Sequence, residues 1–314
     1  MNDATATASA TASTDTITKP TTAADFQRFV ADAWRDHADD ARGVADRLPQ
    51  AIALLDAEPQ VADLARLALH VYGEHLAAWD EGDAYLQRLD ALSPRSSDDS
   101  ASAQDLRRSR ATLALASGRA DTRATMSVSD RLRVGAIAAS ALAEHDTARA
   151  QMLFEQALEE AASAGLQRDD PAHRALATTG NNLACALEMK PNRSDAERDL
   201  MLLAARATRR HWEIAGGWLE TERAEYRLAM SHFEAGDLAQ ARRHAQNCLE
   251  IVDANGSVPL ERCFGYEALA KIERAAGNRI GHEQALAAAR SACEQIEDAG
   301  DREFALGELA KLAG

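Results

Sequence analysis

Five side chains in one stretch carry recognition chemistry. Arg223, Tyr226, Arg227, Met230 and Phe233 follow at steps of three and four, with Tyr226 and Arg227 adjacent. On a helix this spacing gathers them on one stripe, apart from Ala224, Leu228 and Ala229, which turn towards a partner helix. Tyr, Phe, Met and Arg are the residue types of binding hot spots. Lys271 and Arg274 occupy a matching stripe further on, and Asn181 and Asn182 lie near one earlier, where carboxamides can bond a peptide backbone. Together these residues predict a locally basic, aromatic groove. The expected guest is another protein or peptide, of acidic character or with a free carboxylate. A competing reading packs Tyr226, Met230 and Phe233 against neighbouring helices.

Other chemistry is thinly represented. The chain has no Gly-rich phosphate loop after a strand, no His-Glu-x-x-His, no Gly-x-Ser-x-Gly and no Cys-x-x-Cys, so it is read as a non-enzyme without cofactor. In Tyr72-Gly-Glu-His-Leu-Ala-Ala-Trp79, His75 stands five residues after His70. That spacing puts the two imidazoles on different faces of an α-helix, which argues against a metal pair. Trp79 is expected to pack into the N-terminal unit. Cys185, Cys248, Cys263 and Cys293 are far apart and read as reduced, part-buried thiols. Arg209-Arg210-His211-Trp212 and Arg242-Arg243-His244 read as solvated clusters on a convex surface. Trp212 and Trp218 flank Gly216-Gly217, a helix-to-helix turn.

Charge and composition narrow the partners. The formal net charge of −15 leaves no basic footprint for nucleic acid. The 31 arginines against 4 lysines reflect the composition of a bacterial genome rather than an arginine-built site. The N-terminus, MNDATATASATASTDTITKPTT, has neither a basic start nor an apolar core, and the most apolar stretch, Val134–Ala143, is too short to span a bilayer. A cytoplasmic protein is expected, with no membrane contact.

The elements that must position these residues are helices. Ala, Leu, Arg, Glu and Gln dominate, aromatics make up 4%, and no run alternates Val, Ile and Thr. All seven prolines except Pro49 fall between apolar periodic segments, and Pro49 sits where a helix could restart. Residues 1–22 are Ala/Thr/Ser-rich and read as a disordered tail. A helical N-terminal unit follows over 23–92, with helices at 23–37, 39–56, 60–73 and 75–91. The Ser93–Ser100 cluster opens an irregular linker, 93–126, with one helix at 104–117.

From 127 to 300 the chain repeats itself. Ala150, Phe154, Ala157 and Leu158 stand at offsets that recur as Ala196, Leu200, Leu203 and Ala204, then as Ala241, Ala245, Cys248 and Leu249. A fourth copy reads Ala285, Ala289, Ala292 and Cys293. Ile137-Ala138, Leu183-Ala184 and Leu228-Ala229 precede these patterns at a constant distance. Leu269-Ala270 stands three residues further back, predicting a longer fourth loop. His145-Asp146, Pro191-Asn192, Gly236-Asp237 and Gly277-Asn278 break the helices. So short a separation forces each pair to run antiparallel and touch. Arg302–Leu312, with Leu306, Leu309 and Leu312, reads as a capping helix within 301–314.

These residues resemble a known family. Tyr226–Ile251 and Ala138–Glu159 resemble tetratricopeptide repeats, and Asn181-Asn182-Leu183-Ala184 resembles the first helix of the longer repeats of kinesin light chains. The resemblance covers about 130–300. It departs from the common form in a period longer than about 34 and in Ala245 at a usually bulky position. It implies an all-α, right-handed α-solenoid of antiparallel helix pairs whose concave face holds an extended peptide or a partner helix. It also implies that Asn182 contacts ligand backbone. The expected function is an adaptor or scaffold binding protein or peptide. The alternatives are a regulator responsive to a signalling peptide or small ligand, and an unrecognised enzyme. Ala-rich faces could also mediate self-association.

Overall fold

The computed structural model describes residues 23–92, 97, 99–119, 121–256 and 258–312, so the expected tail and most of the Ser93–Ser100 cluster lie outside it. Among the described residues the regular structure is helical throughout, with no strand. The N-terminal part holds α1 (Ala23–Asp36), α2 (Ala41–Ala51), α3 (Pro59–Ala68), α4 (Trp79–Leu92) and α5 (Ala101–Ala116). Four hairpins follow. They are α6 (Val128–Leu142) with α7 (Thr147–Ser163), and α8 (Pro171–Met189) with α9 (Asp195–Ala215). Next come α10 (Trp218–Glu234) with α11 (Leu238–Ala254), and α12 (Pro259–Ala275) with α13 (Arg279–Cys293). The last helix is α14 (Ala299–Ala310).

The breaker residues do the work that their chemistry suggests. Gly236 and Gly277 leave their helices at φ +80° and +72°, a backbone conformation costly for any residue with a Cβ. The next residues, Asp237 and Asn278, cap the following helices by accepting the N–H of Gln240 and Gly281. Asp146 caps α7 in the same way, and Ser194 with Glu197 forms a capping box on α9. The longer fourth loop is not found, since 235–237 and 276–278 are turns of equal length. Aligned by their caps, Ala245 matches Leu286 and Cys248 matches Ala289. Both Ala285 and Leu286 are buried, so the wide apolar stripe of α13 fits two registers.

Short turns leave the two helices of each hairpin packed against each other. The first helices touch in succession, α6 to α8, α8 to α10, α10 to α12 and α12 to α14, so the hairpins stack side by side. Small residues set the closeness. A Cβ on Gly180 would lie 2.8 Å from the Ala204 carbonyl oxygen and 2.8 Å from Thr208 Oγ1, so α8 and α9 meet there backbone to backbone. Phe154 is fully buried in an apolar cluster that it shares with alanines of α6 to α9.

The linker expected over 93–126 contains a packed element. Leu106 and Leu113 of α5 belong to the N-terminal core, while Ala111, Leu115 and Ala116 on the same helix belong to the hairpin core. One helix therefore closes two apolar clusters. Trp79 also touches both clusters, not the N-terminal unit alone.

Two departures from α-helical geometry shape the N-terminal unit. Pro49 lies inside α2, so the Ala45 carbonyl has no i+4 N–H to accept. The Tyr72 hydroxyl takes that carbonyl instead, donating at 3.1 Å. Tyr72 itself sits in a π-helical turn, Leu69–His75, that prolongs α3. Widening the turn to i→i+5 bonding brings residues five apart onto one face. His70 and His75, expected on different faces, consequently meet ring to ring.

Candidate binding pocket

Helices α10, α12 and α14 enclose a half-open cavity of about 440 Å³, completed by Asn181 of α8. Its size falls within the range of small-ligand pockets. α10 supplies Glu222, Arg223, Tyr226 and Arg227 at helical spacing. α12 supplies Leu260, Glu261 and Phe264, and α14 supplies Phe304 and Glu308. The three rings form a chain: Tyr226 meets Phe264 edge-on at 6.1 Å, and Phe264 meets Phe304 at 5.9 Å. Phe304 is 61% exposed, the outermost of the three.

Four of the nine residues expected from sequence line this cavity: Asn181, Arg223, Tyr226 and Arg227. The other five lie elsewhere. Met230 is buried, and Phe233 packs with Tyr226 against the cluster of Ala229, Met230, Ala241 and Ile272, as the competing packing reading had it. Asn182 is exposed and accepts a hydrogen bond from Asn181 at 3.3 Å. Lys271 pairs with Glu267, and Arg274 reaches the Lys311 carbonyl at 3.4 Å.

The groove is not basic, which corrects the expected charge. Arg227 pairs with Glu188 and donates to Asn181 Oδ1 at 3.2 Å, while the Ser231 hydroxyl donates to Glu188 at 2.5 Å. Arg223 pairs with buried Glu261 at 2.7 Å. The Tyr226 hydroxyl donates to Glu267 at 3.2 Å. Both lining arginines are thus matched by carboxylates, and Glu222 and Glu308 add further acid to the wall. Burial pushes the Glu188 and Glu267 carboxyls above the usual range despite Arg227 and Lys271 beside them. Glu222 is displaced furthest: burial, reinforced by Glu261, pushes it up to about 8. Near neutrality its carboxyl can donate a hydrogen bond, and a cation brought beside it would draw off the proton.

Sequence reasoning missed Leu260, Phe264, Glu222, Glu261, Phe304 and Glu308. A signal for Phe264 existed, because it stands seven and ten residues before Lys271 and Arg274 on the same stripe. Phe304 had none. α14 and the turn that follows it bury Ala305, Leu309 and Leu312, whereas Leu306, expected at the cap's core, is 49% exposed. The clusters assigned to a solvated convex face are also engaged. Arg209 bonds Glu225 at 2.6 Å and Arg242 bonds Glu273 at 2.5 Å, tying each second helix to the following first helix. His211 is buried against His173, their Nδ1 atoms 3.0 Å apart. Gly216-Gly217 does form the turn between α9 and α10: a Cβ on Gly216 would lie 2.9 Å from the Trp212 carbonyl oxygen.

No family model, no curated protein and no solved structure matched the chain.

Proposed function

We propose that the protein is a binding scaffold, a right-handed solenoid of tetratricopeptide-like hairpins that holds a polypeptide guest against α10, α12 and α14. The stacking of hairpins and the repeated offsets support this reading, and the half-open pocket carries it. The expected acidic guest is replaced by a basic one. A Lys or Arg side chain entering beside Phe264 and Phe304 meets aromatic faces, and its charge draws the proton from Glu222 and pairs with the carboxylate left behind. An acidic side chain would meet arginines already matched by carboxylates.

Fluorescence anisotropy with labelled Lys/Arg-rich and Asp/Glu-rich peptides of equal length tests the proposal at physiological salt. The basic peptides are expected to bind more tightly, and Phe304→Ala, which removes an exposed ring, to weaken them at least fivefold with the fold intact. Preference for acidic peptides, or indifference to Phe304→Ala, would reject the reading.

A further inference from the structure

We propose that His37, His70 and His75 form a binding site for a divalent metal ion of the zinc class. The three residues come from two elements. His37 follows the end of α1, and His70 and His75 lie on the π-helical turn. Each offers one ring nitrogen, and the three nitrogens lie within 4.8 Å of one another. All three side chains are half-buried, shielded from bulk water yet open to an ion.

The hydrogen bonds around the cluster select which nitrogen His37 and His70 turn inward. His37 Nδ1 sits 2.6 Å from the Trp34 carbonyl oxygen, so it holds the proton and leaves Nε2 with a free lone pair. His70 Nδ1 sits 3.1 Å from the Glu74 carboxylate, which fixes the same tautomer. A carboxylate or backbone carbonyl on the outer nitrogen is the arrangement that orients metal-bound histidines and raises their basicity. His75 Nε2 faces His70 Nε2 at 3.1 Å. Two imidazole nitrogens about 2.0–2.1 Å from one tetrahedral ion lie roughly 3.3 Å apart, so an ion in place of the shared proton needs little movement. Binding the ion releases the proton shared by His70 and His75, because each ligating nitrogen must present a lone pair.

Three imidazoles suit zinc, copper or nickel better than magnesium or calcium, and three protein ligands leave one position open. The π-helical turn makes the site, because α-helical spacing would separate His70 from His75. Trp34 lies against the cluster, its ring 5.3 Å from His37 and 5.2 Å from His70, and can report occupancy.

The untagged full-length chain, stripped with a chelator, would be titrated with Zn²⁺ by calorimetry, and with Co²⁺ while visible absorption and tryptophan fluorescence are followed. The expected result is one saturable Zn²⁺ per chain, intense tetrahedral Co²⁺ bands and quenching of Trp34 fluorescence. His70→Gln and His75→Gln are each expected to remove saturable binding. Glu74→Gln should weaken it about 10–100-fold, and His282→Gln on α13 should leave it unchanged. His37→Gln, beyond the end of α1, serves if a π-turn variant fails to fold, with circular dichroism as the check. Absence of saturable Zn²⁺ binding in the wild-type chain would show a hydrogen-bonded imidazole group only and overturn the proposal. Undiminished binding in a folded His37→Gln or His75→Gln variant would do the same.

Discussion

Replacing Glu222 by Gln should make the protein more stable, and the gain should depend on pH in one direction. The folded carboxyl titrates at about 8 against an ordinary 4.5, because burial beside Glu261 disfavours the anion. Below pH 4.5 the group is protonated in both states and contributes no difference. Between 4.5 and 8 the unfolded chain gives up the proton while the folded chain keeps it, so stability falls as pH rises. At 1.36 kcal/mol per unit, the group costs the wild type about 3–4 kcal/mol between pH 5 and pH 8. Glutamine keeps the shape and never ionises. The variant's advantage in urea unfolding, followed by circular dichroism, should therefore widen by about that amount across the interval. Other titrating groups, such as buried His211, are present in both chains and drop out of the comparison. An advantage that stays constant from pH 5 to pH 8, or a variant less stable than wild type at pH 8, would refute the reasoning.

Two further substitutions test the packing. Arg227→Met removes the cation facing Glu188 and leaves that carboxyl with Ser231 alone, so unfolding free energy should drop by about 3–5 kcal/mol near neutral pH. Most of the loss should return at low pH, once Glu188 is protonated. Gly180→Ala forces a methyl group against the Ala204 carbonyl and should cost about 1–3 kcal/mol, measured as a lowered urea midpoint with unchanged helix content.

The helices and their pairing were legible because they depend on local chemistry. The Asp146, Asp237 and Asn278 caps stand beside their breakers in the sequence, and the offsets from Ala150 to Leu158 recur with little change. What escaped was set by neighbours distant in the chain. Arg227 reads as a free cation until α8 places Glu188 against it, and Leu306 reads as part of an apolar cap until α14 turns Ala305 inward instead and leaves Phe304 at the pocket. The register of α13 was ambiguous because alanines and leucines fill adjacent columns of the helix. His70 and His75 were separated by the assumption of an α-helical turn. Among small differences in backbone energy, the choice between α and π turns is settled by packing, here with Tyr72 reaching across to the carbonyl that Pro49 leaves open.

The double duty of α5 bears on how the molecule comes apart. Its Leu106 and Leu113 face one apolar mass and its Ala111, Leu115 and Ala116 another, so any cut through this region strips side chains from at least one of them. The head and the hairpins are two lobes sharing a keystone rather than beads on a string. Strain or loosening at either should be felt by the other through this helix and through Trp79, which touches both.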